Sequence, residues 1–108
     1  MKIKKSYNVF GQPIKMNLKK GPLTDEYNRQ LSGFFDPIKN SILVDSSLPQ
    51  DQLIKTIIHE LGHALLFRLG LPQTSLPHDL HELIVEGYSN FIYEEFVEKK
   101  KVAGKKLK

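Results

Sequence analysis

Leu53-Ile54-Lys55-Thr56-Ile57-Ile58-His59-Glu60-Leu61-Gly62-His63-Ala64-Leu65-Leu66 is the stretch that decides the fold of this chain. Wound as a helix, it carries apolar side chains on nearly every side, which predicts a largely buried helix. Pro49 suits the first turn, with Gln50 and Asp51 following. Gly70 is placed for a left-handed cap and Pro72 forbids continuation, so the helix should run to about Leu69. Within it stand His59, Glu60 and His63. Buried polar groups are costly unless partnered, so these three need a physical reason.

Their spacing supplies one. Residues four apart lie on one helix face, about 6 Å apart along the axis. The imidazoles of His59 and His63 can therefore converge on one tetrahedral zinc ion. Glu60 sits about 100° round the helix, outside the coordination shell but beside the metal's open position. There it can take a proton from a water that the metal has acidified. His-Glu-x-x-His is the motif of zinc peptidases. Such a site needs a third protein ligand, and the downstream candidates are His78, His81, Glu82 and Glu86. The metzincin extension would place Gly at 66 and His at 69, where this chain has Leu66 and Leu69. Any candidate histidine that is not a ligand could steady an oxyanion, as could Tyr88 or Tyr93.

Outward from this helix, the period changes. Ile3, Tyr7 and Val9, then Ile14, Met16 and Leu18, alternate with polar residues and predict two strands joined through Gly11-Gln12-Pro13. Gly21-Pro22 ends the second, and Thr24 followed by Asp25 and Glu26 predicts a short capped helical turn. Leu31–Asp36 and Ser41–Asp45 predict a second strand pair around the turn at 36–40. A second helix is predicted from about Asp79 to Glu98, with residues 70–78 as loop. Strands followed by helices indicate an α+β fold rather than parallel βαβ units. At 108 residues and 12.4 kDa there is room for one core. We read residues 1–98 as a single domain and 99–108 as a basic tail that frays.

The formal net charge of +4 is unevenly spread. Residues 1–20 hold six lysines and no acid, and 97–108 hold six lysines and Glu98. The middle, 21–96, carries eleven acids against four bases. Six tail lysines allow weak, salt-sensitive phosphate binding, but no recognition-helix or aromatic–lysine pattern supports specific nucleic-acid readout. The absence of cysteine excludes disulfides and thiolate zinc sites. Leu53–Leu71 is too polar for a membrane span, and Met1–Pro13 has no apolar signal region, which together predict a cytoplasmic protein.

Several motifs carry a resemblance. Val85-Glu86-Gly87-Tyr88-Ser89-Asn90 resembles the Glu-x-x-Ser-Asp segment through which thermolysin-like gluzincins supply their third ligand. The resemblance implies Glu86 as that ligand, with Glu82, one turn earlier, as the alternative. His78 and His81 would correspond to an all-histidine site as in SprT-type proteins. It also implies that Asn90 orients a ligating histidine, and Gly87 would let the two helices approach closely. Peptide deformylases share His-Glu-x-x-His but add a cysteine, which is lacking here. From Leu31 to Val97 the chain as a whole resembles the small phage and prophage proteins of the ImmA/IrrE-type metallopeptidase group and the single-domain minigluzincins. That resemblance implies a minimal zincin: a small twisted sheet, an active-site helix and a glutamate helix. It implies a zinc endopeptidase acting on a peptide or protein substrate laid along a sheet-edge strand, for which Ser41–Asp45 is the candidate. The alternative for so short a chain is a zinc-stabilised interaction module without turnover.

Overall fold

The computed structural model describes residues 2–71 and 77–98. Most of the predicted loop after Leu71 and the whole basic tail at 99–108 lie outside the described residues. β1 (Ser6–Val9) and β2 (Gln12–Lys19) form an antiparallel hairpin with Tyr7 opposite Ile14. Phe10 and Gly11 join them at φ of 51° and 79°, the positive pair that a two-residue turn needs to follow the strand twist. Ile14 and Met16 are buried while their neighbours are exposed, the period of two that faces one side of a sheet inward.

The helical turn predicted at Thr24 is not formed. Leu23–Thr24 (β3) pairs instead with Gln30–Leu31 (β4). Asp25 closes the loop between them: one carboxylate oxygen accepts the N–H groups of Tyr27 at 2.9 Å and Arg29 at 2.8 Å. Asn28 takes a φ of 62°. The side-chain oxygen that could have capped a helix thus closes a turn.

β5 (Gly33–Asp36) and β6 (Ser41–Asp45) are antiparallel, as predicted. Asp36 accepts the N–H groups of Ile38 and Lys39 and shapes the turn. The sheet order is β1-β2-β6-β5, with β2 and β6 parallel, so the sheet is mixed. This overturns one expectation: Ser41–Asp45 is not an edge strand. Ile42 and Val44 are fully buried, and β6 fills its backbone hydrogen bonds on both sides. β5 is the edge on that side of the sheet.

α1 (Gln50–Arg68) follows, with Pro49 at its N-cap rather than inside its first turn. It ends as predicted at Gly70, φ 81°. The Gly70 N–H bonds the Phe67 carbonyl and the Leu71 N–H bonds that of Leu66, a Schellman closure. One side of α1 packs on the sheet, where Leu53, Ile57 and Ala64 meet Ile14, Met16, Ile42 and Val44. Its other side meets α2 (His78–Tyr93) and the π-helical turn Glu94–Glu98 that extends it, through Ile54, Ile58, Tyr93 and Val97. α1 is thus the middle of three layers, which is why it is apolar nearly all round.

The helices close over Gly62, not Gly87. A Cβ on Gly62 would lie 3.2 Å from Val85 Cγ1 and 3.4 Å from Tyr88 Cδ1, whereas one on Gly87 meets nothing within 4 Å. No described helix is long and apolar enough to cross a membrane.

Candidate metal centre

Because α1 is sandwiched, two of the polar groups it carries are held indoors. His63 and Glu60 are each 6% exposed, and His59 is half-buried at the rim. The four-residue spacing brings the Nε2 atoms of His59 and His63 to 3.3 Å. Glu82 of α2 faces both: one carboxylate oxygen lies 3.5 Å from His59 Nε2 and the other 3.3 Å from His63 Nε2. An ion bonded at about 2.0–2.1 Å with tetrahedral angles holds its ligands about 3.3–3.4 Å apart. The two imidazole nitrogens and the Glu82 carboxylate are thus donors of the type a zinc ion takes, and each of these separations is close to that spacing.

Glu86 stands elsewhere. Its carboxylate lies 3.2 Å from His59 Nδ1, the far side of that ring. The carboxylate beside the two Nε2 atoms is therefore that of Glu82, and the Glu86 carboxylate lies against the other nitrogen of the His59 ring, the place expected for Asn90. Acceptance of an Nδ1 proton fixes the tautomer that leaves the Nε2 lone pair free. Asn90 is exposed. The physical reason is the axial offset of the helices. Gly62 seats Val85 and Ser89, which sets the turn of α2 holding Glu82 against the Nε2 pair and the next turn against Nδ1.

His81 is fully buried and stacks on His63, ring centroids 5.0 Å apart and 11° from parallel. Neither of its ring nitrogens has a hydrogen-bond partner among the described residues. His63, His81 and Glu82 also bring one donor atom each within 4.8 Å of one another, so His81 belongs to a second donor group that shares His63 and Glu82 with the first. His78 is exposed and borders an outer groove with Asp79, Glu82, Leu83 and Glu86. Tyr93 is buried between the helices under Lys55, and Tyr88 packs on Gly62, so neither reaches the cleft described next.

The electrostatics suit a cation. Burial first, and the neighbouring His59 and His81 after it, hold His63 down at about 4 against the opposing pull of Glu82, so its ring is uncharged at neutral pH. Burial and then the Glu82 charge push the Glu60 carboxyl up to about 7. Glu60 offers an oxygen within 4.8 Å of donor nitrogens of His59 and His63.

Glu60 and His59 open onto a cleft of about 300 Å³ between α1 and the Ser32–Gly33 start of β5, with Lys55, Thr56 and Glu86 on its walls. Sequence reasoning missed Lys55 and the Ser32–Gly33 segment. Lys55 was legible as one turn before His59 on the same face; Gly33 was not, because its value lies in close approach. A Cβ there would come 2.8 Å from the Leu43 carbonyl and 3.0 Å from Thr56 Cγ2. Comparison with family models, curated proteins and solved structures finds no match to this chain.

Proposed function

We propose that the chain is a zinc-dependent endopeptidase of the kind it resembles, with His59, His63 and Glu82 holding zinc and Glu60 as general base. One observation carries the reading: two imidazole Nε2 atoms 3.3 Å apart have the Glu82 carboxylate within 3.5 Å of each, beside a buried glutamate raised to about 7. Bound zinc would supply Lewis acidity, polarising the scissile carbonyl and acidifying water. The chain's own residues do the rest. Glu60 takes a proton from water on the cleft side as the oxygen adds to the carbonyl carbon. It then delivers that proton to the amine nitrogen as the C–N bond breaks. Glu86 keeps His59 in the ligating tautomer. β5, an edge strand at the cleft, offers unpaired backbone N–H and C=O groups along which an extended peptide can lie. Lys55 places a positive charge on the cleft wall, where charge develops on the carbonyl oxygen.

The test is peptide-library cleavage by zinc-loaded wild type and by Glu60→Gln at equal zinc content. Cleavage by wild type, reduced at least about a hundredfold in Glu60→Gln, supports the reading. A silent wild type, or a variant as active as wild type, removes turnover and leaves the zinc-stabilised module.

A further inference from the structure

α2 has a second, outward side, whose acidic edge borders the metal centre at Glu82 and Glu86. At 100° per residue, Leu80, Leu83, Ile84, Gly87 and Phe91 share one arc, opposite the buried Val85, Ser89 and Tyr93. The four side chains of that arc are 41–69% exposed, and no charged residue of α2 interrupts them. A solvent-facing helix surface is ordinarily polar, and an uninterrupted apolar face marks a contact site. Gly87 sits at the middle of the arc. An interior glycine weakens a helix, and no contact among the described residues accounts for this one, since a Cβ there meets nothing within 4 Å. A second helix crossing at that point would account for it, because glycine lets backbones approach.

Charge says which kind of helix. From Pro77 to Glu98 there are six acids and no lysine or arginine. Asp79 and Glu86 lie along the Leu83 edge of the arc, where a groove of about 330 Å³ runs between His78, Asp79, Glu82, Leu83 and Glu86. A second copy of α2 would bring more acid and no base to that edge. We propose that this face docks a cationic amphipathic helix of a partner protein, its apolar stripe crossing α2 at Gly87 and its lysines or arginines along Asp79 and Glu86.

Fluorescence anisotropy with a labelled 18-residue Leu/Lys amphipathic peptide tests this on the full chain. A scrambled peptide of the same composition and a Leu/Glu counterpart serve as controls. Binding of the amphipathic Leu/Lys peptide alone, weakened at least tenfold by Leu83→Glu and by Gly87→Leu, is the expected result. Circular dichroism checks that both variants keep the fold. Leu83→Glu separates docking from bulk attraction, because an added acid tightens a purely electrostatic complex. The proposal is overturned by equal binding of the scrambled peptide, or by unchanged or tighter binding to Leu83→Glu. Absence of binding overturns it, as does a sedimenting dimer that Leu83→Glu dissolves. None of these readouts depends on metal.

Discussion

Glu82 and Glu86 are the same residue type, four apart on one helix, and the structure gives them opposite ends of the His59 ring. Spacing alone made His59, Glu60 and His63 legible, because an i, i+4 pair on one helix is fixed by helix geometry. It could not choose between two glutamates on a different helix, since that choice depends on how far α2 slides along α1. Glu60 shows the energetic side of the same site. Its carboxyl rises from about 4.5 to about 7 on folding, so the folded state favours the protonated form. The stability this contributes is full below pH about 4.5 and is lost as pH rises to about 7. Metal-free Glu60→Gln lacks that loss. In chelator at pH 8 it should be more stable than wild type by about 1–3 kcal/mol, and the difference should shrink towards pH 4.5. Denaturant unfolding at the two pH values measures it; a Glu60→Gln protein weaker than wild type at pH 8 contradicts the burial argument.

At the scale of elements, the two helices, the β5–β6 hairpin and the Gly70 stop were legible because periodicity and punctuation are local. The parallel β2–β6 pairing and the interior place of Ser41–Asp45 were not, because which strands become neighbours is decided by the whole sheet. The helix contact follows the same logic. Gly62→Val should cost about 1–3 kcal/mol by overpacking against Val85 and Tyr88, whereas Gly87→Ala should raise stability by up to about 1 kcal/mol. Thermal denaturation of both variants checks the pair, and equal effects would return Gly87 to the interface. Asp45 fastens the end of β6: one carboxylate oxygen accepts the Gly21 N–H at 2.9 Å, and the Ser47 N–H and hydroxyl at 2.9 and 2.6 Å. The Ser47 bonds, and Gly21 after them, hold its carboxyl below the usual range. Its stabilisation is therefore present above the ordinary aspartate value near 3.8 and fades as pH falls through the lower folded value. Asp45→Asn should melt earlier than wild type at pH 7, with the gap closing in stronger acid. Melting curves that stay parallel down to pH 2 would count against the clasp.

Over the whole molecule, α1 couples sheet, site and α2, so occupancy of the Nε2 cluster should be felt globally. Zinc at about 100 times its dissociation constant adds about 2.7 kcal/mol to a folded state that alone binds it. For a domain of this size that is a rise of about 10 °C or more in Tm, reversed by chelator. Glu60, Glu82 and Glu86 all lie in the acidic middle of the sequence, where a bound cation would offset part of the charge. The central claim is the identity of the donors, and zinc titration of metal-free protein against a competing chelator tests it most directly. The account predicts one zinc per wild-type chain, about 10–100-fold weaker binding in Glu86→Gln, and a far larger loss in Glu82→Gln. Zinc retained by Glu82→Gln and lost by Glu86→Gln would contradict it.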